Sequence, residues 1–130
     1  MAHKYKHRYF FEFGAGPLWA INDAARRDFS IAYISPESLP LSEETQRRAG
    51  ELAAWYDQSL NQEYPPDPSP WRQDECDRFN NASKQLFAII CTELGEDDNV
   101  VDQQQVLSED PELERYLKDP KGFRRSQSTR

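Results

Sequence analysis

The sequence predicts an α+β fold. A small, mostly antiparallel sheet, with strands near residues 5–13, 29–34 and 99–102, should pack with two long helices at about 43–61 and 70–94. Three observations carry this reading. Aromatic residues alternate with period 2 through the N-terminal segment, apolar side chains recur at helical spacing in two central segments, and four of the nine prolines fall in the seven residues between those segments. At 130 residues the chain has room for one compact domain and too little for two. Its 16 aromatic side chains supply the buried area that a chain with 30% charged residues needs in order to fold. Residues 1–119 are read as that domain and 120–130 as a flexible basic tail.

From Tyr5 to Phe13, the side chains of Tyr5, His7, Tyr9, Phe11 and Phe13 share one face, and Lys6, Arg8, Phe10 and Glu12 the other, as in a half-buried strand. Gly14-Ala15-Gly16-Pro17 makes a turn, because a ladder does not continue through two glycines and a proline. Leu18–Phe29, with Asn22 and Asp23 as cap or turn residues, reads either as a short helix or as an irregular loop. Phe29, Ile31 and Tyr33 then alternate with Ser30, Ala32 and Ile34 ahead of Ser35-Pro36, which predicts a second short strand.

Ser42 is an N-cap candidate, and Glu43 and Glu44 in the next turn meet the positive end of a helix dipole. Ala49, Leu52, Ala53, Tyr56 and Leu60 continue at helical spacing to about residue 61. The run Tyr64–Pro70 then predicts a stiff, extended connector. Ser69 as cap and Pro70 at the first helical position open the second helix, whose apolar stripe is Cys76, Phe79, Ser83, Leu86, Phe87, Ile90 and Leu94 and whose stop is Gly95. Asn99–Asp102 is a short strand able to join the N-terminal sheet. Asp110, Pro111 and Leu113–Leu117 make one or two further helical turns.

The net charge of −7 is unevenly placed. Residues 37–119 carry 20 acidic and seven basic side chains, whereas residues 120–130 carry four basic ones and no acid. Such a surface repels nucleic acid and anionic membranes and attracts basic proteins. No apolar run approaches the ~20 residues of a bilayer span, and the first 13 residues are too charged for a signal peptide, so the predicted location is the cytoplasm. Cys76 and Cys91 stand about 22 Å apart along one predicted helix, beyond disulfide reach, and read as free thiols. Zinc would need two further ligands, and His3 and His7 lie on a terminal segment expected to fray. Neither a metal nor a cofactor is predicted.

No catalytic constellation emerges. Gly14 and Gly16 begin a dinucleotide fingerprint, but Trp19 occupies the place of its third glycine. The carboxylates of Asp74, Glu75 and Asp77 fall in exposed helical turns, where nothing tunes a general acid or base. Two features remain: the acidic bias, and the aromatics Tyr56, Tyr64 and Trp71 around the connector, where service in the core competes with service as interface anchors. The connector also contains Pro65-x-x-Pro68, the minimal motif read by aromatic-grooved adaptors.

The runs Tyr9–Asp23, Leu39–Ser42, Trp55–Asn61 and above all Tyr64-Pro65-Pro66-Asp67-Pro68-Ser69-Pro70-Trp71 resemble a family of small bacterial immunity proteins encoded beside polymorphic or contact-dependent growth-inhibition toxins. The resemblance extends from about Tyr9 to Val101. It departs from the family pattern where Asp98 and Asn99 stand in place of an aromatic, and in a longer segment after Gln105. The resemblance implies a protein that binds one cognate toxin domain, often a nuclease, and neutralises it without turnover. The acidic bias and the resemblance together nominate Glu63, Tyr64, Asp67, Trp71, Asp74, Glu75 and Asp77 as the surface that meets a basic toxin domain. The alternative is a cytosolic interaction adaptor with no toxin partner, recognised through its proline connector.

Overall fold

The computed structural model describes residues 3–125. Strand β1 (Tyr5–Tyr9) lies at the centre of a three-stranded sheet ordered β2-β1-β3, with β2 at Leu18–Ala20 and β3 at Asp98–Asp102. Helix α1 (Asp23–Asp28) follows β2, helices α2 (Glu43–Asp57) and α3 (Gln73–Leu94) pack together, and α4 (Leu113–Lys118) lies near the C-terminus.

The α+β class stands, and the sheet itself is mixed. β1 pairs antiparallel with β2, in the register His7↔Ala20 to Tyr9↔Leu18, and parallel with β3, in the register Tyr5↔Asp98 to Tyr9↔Asp102. The parallel pair follows from the connection: a long crossover through the helices brings the chain back in the direction of β1, where a tight hairpin would reverse it.

The strand predicted over 29–34 is replaced by β2. Leu18 and Ala20 are buried on one face, and Asn22 caps α1 by accepting the Ala25 N–H, so the helix-or-loop segment holds both a strand and a short helix. Residues 30–34 run along the outer edge of β2 with two hydrogen bonds, Ala20 N–H to Ala32 O and Ile34 N–H to Leu18 O, each 2.8 Å. They form one isolated bridge, Trp19↔Tyr33. Ile31, which the alternation puts on one face with Phe29 and Tyr33, is 82% exposed, while Ile34 on the other face is fully buried. α1 ends just before the segment and Pro36 follows just after it, and between them only the Trp19↔Tyr33 bridge forms. β1 also stops at Tyr9, before the predicted Phe13. Glu12 and Ala15 close a turn around Gly14, whose φ of +78° is open to glycine at little cost.

α2 starts as predicted, with Ser42 Oγ accepting the Thr45 N–H at 3.1 Å, but it unwinds after Asp57. α3 starts at Gln73 and not at Pro70. Ser69 Oγ accepts from Trp71, before the helix, and the first helical N–H, that of Gln73, is taken by the Glu109 carboxylate from a distant segment at 3.0 Å. Gly95 ends α3 at φ +83°.

The core lies between the sheet and α2 and α3, and it is aromatic. The ring of Phe79 stands within 5.2–5.8 Å of Phe11, Trp55, Tyr56 and Trp71, centroid to centroid. Tyr9, fully buried, packs on Phe87 and donates its hydroxyl to the Ser83 carbonyl at 2.8 Å, which ties the sheet to α3. Burial pushes the Tyr9 phenol well above its ordinary value.

His7 corrects the expectation of a frayed terminus. It is fully buried, and its Nε2 lies 2.7 Å from Asp98 Oδ1. Asp98 in β3 is therefore the partner of a buried imidazole in β1.

The basic tail divides. Phe123 is buried, edge-on to Tyr116, with the Arg115 guanidinium 4.4 Å from its ring centre. Arg125 is ion-paired to Asp110 and Glu112. Residues 126–130 lie outside the described residues.

Candidate functional site

The connector between α2 and α3 is shaped by one buried side chain. Asn61 accepts the N–H groups of Glu63 and Tyr64 at 3.0 Å each, and its amide donates to the Pro68 carbonyl at 3.0 Å. Asp67 N–H then bonds Tyr64 O at 2.8 Å, closing a turn over 64–67 where the proline run predicted an extended strut. Prolines set φ but leave ψ free, so a side chain that caps the backbone folds them into a turn. This throws Tyr64 outward, 58% exposed, and buries Pro68 completely. With Pro68 inside and the chain turning, Pro65-x-x-Pro68 is not displayed as an extended helix.

The seven nominated residues separate into three kinds of place. Glu63, Tyr64 and Asp67 sit on the connector turn, with Tyr64 exposed and Asp67 half-buried. Asp74, Glu75 and Asp77 occupy the first turns of α3; Asp74 and Asp77 are exposed, while Glu75 is half-buried and accepts the Trp55 indole N–H at 2.8 Å. Trp71 is a core residue, 4% exposed, with its ring 5.7 Å from Trp55 and 5.5 Å from Phe79. Its flanking sequence marks a surface loop, and only the tertiary contacts with α2 and α3 turn it inward.

A second acidic segment, which carries no sequence motif, packs against the start of α3. Asn80 brackets Leu107 through two hydrogen bonds of 2.9 and 3.0 Å. Gln73 and Glu109 exchange side chain for backbone in both directions at 3.0 Å. Arg72 pairs with Glu109 and Glu114. Glu109, Asp110, Glu112 and Glu114 thereby stand beside the acidic first turns of α3. The only sequence signals were their charges and the turn propensity of Asp110-Pro111.

Two clefts open beside the connector. The larger, about 550 Å³, is lined by Tyr64, Pro66 and Asp67 on one side and by Pro120, Lys121, Phe123, Arg124 and Arg125 on the other. The smaller, about 260 Å³, includes Phe13, Tyr56, Trp71 and Leu107, with Asp67, Asp110 and Arg125 also lining it. Burial works against the charge on Asp110, yet the Arg125 guanidinium and the Glu112 N–H hold its carboxyl below the ordinary range.

Burial pushes the Cys76 thiol above its ordinary value, away from the nucleophilic thiolate, and Cys91 is an exposed free thiol. The Gly14 N–H, which a phosphate cradle would need, is taken by the Asp57 carboxylate at 3.0 Å. Among the described residues no group of three or more His, Cys, Asp or Glu side chains could hold a metal ion, and no helix is long and apolar enough to cross a membrane.

The described residues thus form an α+β protein with an aromatic core and two open, charge-rimmed clefts beside the connector. The chain matches the family described as Serratia CdiI immunity protein-like over residues 6–105, and it belongs to that family. Membership places it among the immunity proteins of contact-dependent growth-inhibition systems. No curated protein matches it.

Proposed function

We propose that the protein neutralises a nuclease-type toxin domain delivered by neighbouring bacteria, acting in the cytoplasm of the recipient cell and without turnover. The toxin domain is basic and docks on the acidic face made by the first turns of α3 and the connector. Asp74 and Asp77 steer it, and Glu63, Tyr64 and Asp67 make contact at the rim. The observation that carries this reading is the convergence of two acidic segments, Asp74–Asp77 and Glu109–Glu114, that are more than 30 positions apart in sequence and joined by the Gln73–Glu109 exchange. Clustered carboxylates raise the encounter rate with a basic partner, and the desolvated contacts slow its release.

The test is co-purification with the toxin C-terminal domain encoded beside the gene, together with rescue of cells expressing that domain. Asp74→Lys/Asp77→Lys should lower the association rate by about tenfold or more at low salt, with the effect shrinking as salt rises. Glu75 is a poorer probe of steering, because reversing its charge also removes the acceptor of the Trp55 indole. A complex whose association rate is indifferent to both substitutions and to salt would remove this face from the account.

A further inference from the structure

The site proposed above has its own guanidinium already in it. Arg125 makes a three-point contact: Nε donates to Pro66 O at 2.8 Å, Nη2 to Asp110 Oδ2 at 2.8 Å and Nη1 to Glu112 Oε2 at 3.1 Å. A carbonyl and two carboxylates arranged in this way match the fork of an arginine, which a lysine ammonium does not. Arg125 also lines both clefts and stands between them. The positive charge around the larger cleft, from Lys121, Arg124 and Arg125, belongs entirely to residues 120–125, whereas the opposite wall is Tyr64, Pro66 and Asp67. Phe123, buried against Tyr116 and Arg115, anchors the segment, so the Arg125 side chain can leave its partners without displacing that anchor.

We infer that residues 120–125 form a strap whose Arg125 fills, in cis, a guanidinium receptor made by Pro66, Asp110 and Glu112, and that an arginine of the toxin domain takes this receptor in the complex. The inference rests on the reading that the partner is basic. Arg125 and Asp67 line both clefts, so displacing Arg125 removes a side chain that stands between them. The strap then acts as an intramolecular competitor that selects for partners bearing a correctly placed arginine.

The receptor is testable without the toxin. The full-length, ¹⁵N-labelled chain is titrated with L-argininamide, with L-lysinamide as control. In the wild type the amides of Tyr64, Asp67, Asp110 and Glu112 should stay in place. In Arg125→Ala they should shift with argininamide, at a dissociation constant on the order of millimolar, and much less with lysinamide. Asp110→Asn in that background should abolish the response. Equal responses in the wild type and R125A would overturn the receptor. Against the toxin domain, R125A should bind on the order of tenfold more tightly, with Arg125→Lys in between. Weaker binding by R125A would make Arg125 a buttress and overturn the competition. If no form binds the toxin domain while argininamide still binds R125A, the basic-partner reading fails and takes the trans occupant with it. If the toxin domain binds tightly and argininamide never does, the strap alone fails.

Discussion

Replacing Trp71 by alanine tests whether this tryptophan belongs to the core or to the interface. Its side chain is 4% exposed and packs on Trp55 and Phe79. An indole buries roughly 200 Å², which at about 25 cal/mol per Å² bounds the transfer contribution near 5 kcal/mol. Alanine retains part of this and leaves a cavity, so the expected loss is about 3–5 kcal/mol. Small domains are stable by about 5–15 kcal/mol, so the variant should fold but lie close to its limit at 37 °C. With a urea slope near 2 kcal/mol/M, the unfolding midpoint should fall by about 2 M with the slope unchanged. Far-UV circular dichroism and the fluorescence of Trp19 and Trp55 should report one coincident transition. Trp71→Phe, which keeps a ring against Phe79, should recover at least half of the loss. A stability change below about 1 kcal/mol together with lost toxin binding would refute the assignment and return Trp71 to the interface.

Gly50 is exposed in the middle of α2, with open space where a Cβ would stand, so Gly50→Ala should raise stability by about 0.5–1 kcal/mol, read as an increased urea midpoint. Glu93 accepts the Ser42 N–H at 2.8 Å and the Thr45 hydroxyl at 2.7 Å, and the Ser42 backbone bond leads in holding its carboxyl below the ordinary 4.5. Its contribution is therefore complete above pH 4.5 and is lost as pH falls through the lowered folded value, because the unfolded chain takes up the proton first. Glu93→Gln should flatten this acid limb in urea titrations between pH 5 and 3, and parallel limbs would count against it. Asp98→Ala removes the one side-chain partner that a fully buried imidazole has among the described residues, where its Nδ1 has none. It should cost about 1–3 kcal/mol, and adding His7→Phe should restore much of that, since replacing both partners avoids an orphaned polar group.

Elements with complete local signals were legible in the sequence. Ser42 with its two glutamates, the 3.6-residue stripe from Cys76 to Leu94 and the alternation of Tyr5, His7 and Tyr9 each combine a periodic apolar pattern with a boundary residue, and α2, α3 and β1 follow them. The 29–34 segment had alternation alone. Three-residue β2 had too few positions for any period to register, so pairing with β1 decided which of the two became the strand.

Surface exposure was legible in part for the same reason. Charge density and exposed-turn chemistry are properties of sequence, and they placed Asp74, Asp77 and Tyr64 at the surface, where the structure has them. Whether a side chain faces water or the core is a property of its neighbours, and Trp71 was turned inward by Trp55 and Phe79, which are 16 and eight positions away. By itself the sequence determined two helices, a central aromatic strand, an acidic middle and membership in an immunity family, because those features are written in local period, composition and contiguous motif. Only the tertiary structure decided the parallel pairing of β3, the capping of α3 by Glu109, the burial of His7 on Asp98 and the seat of Arg125 between two clefts. Each of these joins residues that lie 13 or more positions apart, and the free energy that selects such partners exists only once the core has brought their backbones within hydrogen-bonding distance.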